Sequence, residues 1–219
     1  MSPTSPKVPS ADDIVRSTCA WYDREAAFYA GRTAEYDRFP GLADEILRFT
    51  RSVADIGGPV LDLGCGAGRD AEFLLGRGRP VVAGDVSVEM LRATRDRCAP
   101  GHIECVRLDM RNLPFAARSL AAAWVCASMV HIPRASVLGC LVELHNALKP
   151  GGRVAISMRT GDADRWDSTS RPGSSRWFTY LRPDTLAAAM GASGFADLST
   201  VWSGRENWYI TYGSKAPGT

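Results

Sequence analysis

With 219 residues, 26 basic and 24 acidic side chains, a net charge of +2 and 45% hydrophobic content, the chain has the composition of one ordinary globular domain. That balance excludes the basic stripe a nucleic-acid or anionic-membrane binder carries, and basic residues nowhere run to five in a row. The six cysteines form no C-x-x-C pair, no apolar run reaches membrane-spanning length, and Met1–Ser10 lacks a signal-peptide pattern, so a protein of the reducing cytoplasm is expected.

Three prolines in the first nine residues predict a disordered tail over residues 1–10. Ser10 with Asp13 forms a capping-box pattern that opens a helix from Ala11 towards Ala30, bearing Trp21, Tyr22, Phe28 and Tyr29 and interrupted by Gly31. Pro40-Gly41 punctuates the chain, and Leu42, Ile46, Leu47 and Phe49 mark an amphipathic helix to about Val53. These two helices make a cap over residues 11–54, and residues 55–219 read as the main domain. Its first strand is the run Val60–Leu63. A helix follows through Ala71, Phe73, Leu74 and Leu75, then a strand over Pro80–Gly84, a helix capped by Ser87 and running to Cys98, and a strand through Ile103, Cys105 and Leu108. Leu120–Ala127 is a continuous apolar run suited to a central strand. Val137, Leu141, Leu144 and Leu148 stripe a helix that Lys149-Pro150-Gly151-Gly152 ends, and Arg153–Met158 is a fifth strand. Arg159–Arg176 is polar and reads as a long loop. A short β-like segment over Phe178–Leu181, a helix from Pro183 to Met190, and strands over Ala196–Trp202 and Asn207–Tyr212 complete the chain. Alternating strands and helices predict a doubly wound, mostly parallel sheet, whose ligands sit beyond the strands' carboxyl ends.

The stretch around which this order turns is Pro59–Asp70, P-V-L-D-L-G-C-G-A-G-R-D. It joins a buried strand to a helix through Gly64, Gly66 and Gly68, where absent Cβ atoms let a ligand approach main-chain amides at a helix start. A dinucleotide fingerprint needs its third glycine where Arg69 stands, and a P-loop needs a G-K-[ST] that does not follow. Asp85 lies about twenty residues on, at the end of the second strand, where a carboxylate can accept hydrogen bonds from two ribose hydroxyls. Asp109, at the end of the third, can accept from an exocyclic amine, with the Met110 thioether beside the ring. His131 is the one histidine at the mouth of the expected site. Cys98, His102 and Cys105 lack a fourth partner, so no metal site is expected.

The string D-x-G-x-G-x-G (Asp62, Gly64, Gly66, Gly68) resembles motif I of the class I S-adenosylmethionine-dependent methyltransferases. From Tyr22 to Phe195 the chain resembles the bacterial type 11 branch of that family through Y-D-R-E-A-A-F-Y-A-G-R-T, V-L-D-L-G-C-G-A-G-R-D, G-D-V-S-V-E-M-L, L-D-M-R-N-L-P, S-M-V-H-I-P and L-K-P-G-G-R-V. The resemblance implies a three-layer, Rossmann-like α/β fold with a seven-stranded sheet, mostly parallel with an antiparallel C-terminal strand, and an N-terminal lid helix. It implies S-adenosylmethionine as cofactor and S-adenosylhomocysteine as product. Asp62, Gly64, Cys65, Gly66 and Gly68 would hold the methionine portion, Asp85 the ribose, and Asp109 and Met110 the adenine, with Val86 and Met90 also at the cofactor. Main chain near Cys126, Ala127 and Ser128 would face the cofactor, and Tyr22, Tyr29 and Arg32 would be lid contacts. The chain departs from the family in having Leu120-Ala121-Ala122-Ala123 where an aspartate is common early in the fourth strand.

Methyl transfer from a sulfonium is a displacement whose leaving group needs no acid, so alignment and water exclusion dominate, and a hydroxyl acceptor also needs a base, here His131. The expected acceptor is a small molecule methylated on oxygen or nitrogen, with the protein a monomer or homodimer. Alternatives are a non-catalytic S-adenosylmethionine binder and a methyltransferase acting on peptide or nucleic acid. The amino-methylating nucleic-acid branch has Asn/Asp-Pro-Pro-aromatic where this chain has Cys126-Ala127-Ser128-Met129.

Overall fold

The computed structural model describes residues 9–99, 101–168 and 175–218. Its central strands form where short apolar runs can be buried on both faces, as a parallel sheet demands. β1 (Val60–Leu63), β2 (Val81–Asp85), β3 (Glu104–Arg107), β4 (Leu120–Cys126) and β5 (Leu148–Arg159) alternate with helices, and β8 (Phe195–Trp202) and β9 (Trp208–Lys215) follow. They pair in the order β3-β2-β1-β4-β5-β9-β8, with β9 antiparallel to both its neighbours and the other pairings parallel.

Each strand sends alternate residues to opposite layers. On one face Val60, Ala122 and Trp124 pack with Leu42, Ile46 and Phe49 of α3 (Leu42–Ser52), Ala71 and Leu74 of α4 (Arg69–Leu75) and Leu91 of α5 (Val88–Arg97). On the other, Leu61, Ala123 and Val125 pack with Leu141 and Leu144 of α6 (Val137–Ala147) and Leu186 and Met190 of α7 (Pro183–Ala192). The result is the expected three-layer, doubly wound fold. Ser87 caps α5 by accepting from the Met90 amide, and Ser10 caps α1 (Ala11–Arg24) by accepting from the Asp13 amide. No helix among the described residues is long and apolar enough to cross a membrane.

Two expectations are corrected. The first helix breaks at Glu25, not at Gly31, which lies inside α2 (Ala26–Thr33). The Glu25 amide still reaches the Trp21 carbonyl, but its backbone leaves helical values at ψ 14°, which re-aims Tyr29 from Tyr22. The polar stretch after β5 is also not loop throughout: β6 (Arg165–Ser168) and β7 (Ser175–Phe178) pair antiparallel, with Trp166 opposite Trp177. Those two rings meet edge-on at 5.2 Å, a cross-strand aromatic contact in a hairpin whose other residues are polar except Phe178. The tail at residues 1–8 lies outside the described residues.

Trp124 is fully buried against Phe49, and its indole Nε1–H donates to Asp70 Oδ2 at 2.8 Å. Trp124→Phe keeps most of the ring and deletes the donor. The expected loss is about 1–2 kcal/mol of unfolding free energy, read as a lower denaturant midpoint at unchanged slope.

Candidate functional site

The carboxyl ends of β1, β2 and β4 and the residues after β3 open into one cleft, roofed by α1 and α2. Chain direction turns sharply after β1. Gly64 has φ 74°, and a Cβ there would stand 2.2 Å from the Cβ of Ser128, whose hydroxyl donates to the Leu63 carbonyl at 2.6 Å. The loop is thus clamped to the end of β4. Gly66 donates its amide to Asp85 Oδ2 at 3.0 Å, and the Ser87 amide donates to Oδ1 at 2.9 Å. Burial pushes the Asp85 carboxyl up to about 6 against the pull of those amides.

Asp62 is buried beneath the loop, with Oδ2 lacking any hydrogen-bond partner. Burial, with Asp70 close by, raises its carboxyl well above the usual range. It lines a small polar recess with Gly64, Cys65, Gly66 and Tyr29. Asp109, Met110, Val86, Cys126 and Ala127 all line the main cleft. Asp109 already accepts from the Arg111 guanidinium at 2.7 and 3.0 Å, a partner the sequence reading did not anticipate. Burial lifts the Cys126 thiol to about 12, so it is protonated and inert at neutral pH. Ala127 holds φ 53°, a left-handed backbone rare outside glycine and found where a site over-determines the chain.

Three of the expected site residues do not face the cleft. Gly68 meets Thr94 Cα, which a Cβ would approach to 2.9 Å, so this glycine serves the packing of α4 on α5. Met90 is completely enclosed in α5. Arg32 is exposed on α2 and lies over Phe28, 5.6 Å from its ring centre, because the break at Glu25 turns that face outward.

Beside the cleft lies a second chamber of about 280 Å³, lined among others by Phe39, Arg159, Arg176, Phe178, Arg205 and Trp208. The two spaces share Tyr22, Tyr29, Cys126, Ala127 and His131 as a common wall. Tyr29 stands over Gly66, 3.2 Å from where its Cβ would be, and meets the Tyr22 ring edge-on at 5.1 Å. His131 Nδ1 bonds the Trp177 carbonyl at 2.7 Å and must be the donor there, so neutral His131 accepts the Tyr22 hydroxyl on Nε2 at 2.8 Å. Burial lowers the His131 imidazole to about 4, so it is neutral at pH 7. Burial likewise raises the Tyr22 phenol, although Arg176 reaches its oxygen at 3.4 Å. Both histidine nitrogens are therefore engaged, Nε2 by the Tyr22 hydroxyl, which belongs to the same shared wall. Ser128 opens the S-M-V-H-I-P stretch, and Arg159 and Arg176 bound the polar stretch after β5, but no spacing rule marks these side chains individually, and Arg205 lies outside every motif.

Residues 60–152 match a family described as a methyltransferase domain. Methyltransferase GfsG of Streptomyces halstedii is 34% identical over 114 residues, 50% of this chain and 40% of that protein. The demethylmenaquinone methyltransferase of Clavibacter sepedonicus is 35% identical over 141 residues, 60% of this chain and 56% of that protein. The chain spans about half the length of the curated relatives it matches. The solved DhpI–SAH complex has the same fold, with a TM-score of 0.75 at 21% identity, covering 95% of this chain and 100% of that one. Residues 60–152 thus resemble a methyltransferase domain, and the sheet order with the glycine loop at its switch point is the fold of that solved complex.

Gly64→Ala drives a methyl group into Ser128 at a left-handed position, so a loss of about 2–4 kcal/mol in stability is expected. Adding Ser128→Gly relieves the collision and is expected to restore part of that loss in a denaturant titration, leaving the backbone strain behind.

Proposed function

We propose that the protein transfers a methyl group from S-adenosylmethionine to oxygen or nitrogen of a small-molecule acceptor by in-line displacement, releasing S-adenosylhomocysteine. The observation that carries this reading is the wall of Tyr22, Tyr29, Ala127 and His131 common to the cleft at the glycine loop and a separate chamber. A protein that only bound the cofactor would have no use for that chamber. When bound, S-adenosylmethionine supplies an electrophilic methyl on a sulfonium, whose departure as a neutral thioether needs no acid.

The residues present fit that group. Asp62, whose buried Oδ2 has no partner, lines the recess beneath the glycine loop and suits an ammonium donor. Asp85 retains free lone pairs beside its two amide donors and suits a pair of ribose hydroxyls. Leu108, Met110 and Val86 give the cleft an apolar wall for adenine, with Asp109 at its edge. The Tyr22 and Tyr29 rings screen the shared wall from water and present faces suited to a cation. In this reading residues 11–54 act as the lid, with Gly64, Cys65, Gly66, Cys126 and Ala127 forming the floor.

His131 acts as base through Tyr22. As the acceptor's proton leaves, Tyr22 Oη takes it and passes its own proton to His131 Nε2. A pKa of about 4 makes His131 a weak base but keeps it unprotonated, and an oxygen or nitrogen gaining a methyl becomes a much stronger acid. A reducing, cytoplasmic setting is supported by six cysteines that are all free thiols. A small-molecule acceptor is favoured over nucleic acid by the small size of the chamber, about 280 Å³, and the near-neutral net charge.

Incubation with the cofactor and a panel of candidate acceptors, followed by mass analysis, is expected to show a gain of one methyl group with release of S-adenosylhomocysteine. Tight cofactor binding without any gain across the panel would establish the non-catalytic reading. Asp85 binds hydroxyls best when ionised, so affinity for S-adenosylhomocysteine should rise with pH through about 6 and level off above it. In Asp85→Asn the affinity should drop about 10–100-fold and that pH step should disappear, as calorimetry at pH 5 and 8 will show. Tyr22→Phe should cut kcat about 10–100-fold for a hydroxyl acceptor while leaving S-adenosylhomocysteine affinity within a few-fold. His131→Ala with undiminished turnover on a hydroxyl acceptor would remove the proton route altogether.

A further inference from the structure

The charges around the second chamber do not cancel. Four arginines and one aspartate line it: Arg69, Arg159, Arg176, Arg205 and Asp167. Arg69 is held in a bidentate pair by Asp70 at 2.8 and 3.1 Å. Arg205 pairs with the buried Glu45 at 3.1 Å. Arg176 lies 3.9 Å from Asp167 and donates to Tyr22. Arg159 has no such partner. Among the described residues no carboxylate lies within ion-pair distance of it, and its buried Nε finds no acceptor.

The placement of Arg159 is fixed all the same. It is the last residue of β5, paired with Trp208 at the start of β9, and its carbonyl accepts from the Leu181 amide. Its guanidinium carbon lies 5.3 Å from the Tyr180 ring centre and 5.9 Å from that of Trp208, within cation–π range of both. Ring contacts of that kind use none of the guanidinium's N–H donors, which stay available for planar, two-point donation. A cation set into a chamber wall with vacant donors is costly unless a ligand supplies the acceptor. Tyr22, Tyr29, Phe39, Phe178 and Trp208 supply flat apolar surface in the same space.

We infer that the chamber takes a planar acceptor carrying an anionic oxygen group, a carboxylate or a phosphate, seated on Arg159, with its nucleophilic atom towards Tyr22. Arg159 is in this account a specificity-determining residue of the acceptor site. The inference rests on the methyltransferase reading for the identity of the ligand as acceptor, but the anion preference itself does not need the cofactor.

The test uses matched probes and the full chain. Binding of benzoate, phenyl phosphate and the neutral benzamide is followed by calorimetry and by Trp fluorescence, with and without saturating S-adenosylhomocysteine. Benzoate or phenyl phosphate is expected to bind about tenfold or more tighter than benzamide, and whichever of the two binds tighter identifies the anionic group. Arg159→Ala should abolish that preference, Arg159→Lys should keep a part of it, and both should bind S-adenosylhomocysteine as the wild type does. Equal binding of benzoate, phenyl phosphate and benzamide, no saturable binding of either anion, or a preference surviving Arg159→Ala overturns the inference. Loss of S-adenosylhomocysteine binding in the wild type, with the anion preference intact, would instead overturn the methyltransferase reading alone.

Discussion

The site depends on one carboxylate holding two loops together. Asp85 stands at the end of β2 and accepts amide hydrogens from Gly66, in the turn after β1, and from Ser87, at the start of α5. Those amides belong to separate crossovers of the sheet, and the carboxylate sets their spacing. Ser87 is held from a second side, because its hydroxyl donates to Asp23 of α1 at 2.5 Å. The cap is thereby tied to the same point. Strand order brings these groups together, but the buried carboxylate gives the cleft its shape.

A second network joins the other end of the cap to the sheet. Asp70, the second residue of α4, accepts from Trp124 of β4, from Arg69 and from Tyr36 beyond α2. Burial would raise this carboxyl, yet Arg69 and the two neutral donors hold it below its ordinary value. Early in β4, Leu120-Ala121-Ala122-Ala123 are fully or almost fully buried and offer only apolar side chains, so the strand's side-chain hydrogen bond to α4 is made by Trp124.

Much of this architecture was legible because it is written in local patterns. Glycine spacing, the strand run before it and Asp85 about twenty residues later are fixed by the geometry of one crossover, so sequence distance converts directly into placement. The seven strands and the two serine caps follow from periodicity and capping chemistry. The acceptor side was not legible in the same way. Arg159, Arg176 and Arg205 come from three segments that no spacing rule connects, and the β6–β7 hairpin depends on a Trp166–Trp177 contact hidden among polar residues. Gly68 shows why glycines alone do not separate the two uses: one packed closely against Thr94 carries the same signature as one needed for a ligand.

Asp85 and His131 hold the cleft in opposed electrostatic tension. Burial raises Asp85 from 3.8 to about 6, so the folded chain retains a proton the unfolded chain loses, and that contribution to stability fades as pH rises through 6. Burial lowers His131 from 6.5 to about 4, so its contribution is present above 6.5 and fades as pH falls towards 4. The two slopes have opposite sign over nearly the same interval and largely offset. At neutral pH the balance is asymmetric: His131 is neutral and comfortable in its bonds, whereas Asp85 is ionised against its surroundings. The cleft therefore holds its least favourable charge where ribose hydroxyls would be bound. Such a ligand would relieve a cost already built into the fold, and the same burial that destabilises the empty carboxylate strengthens each hydrogen bond made to it.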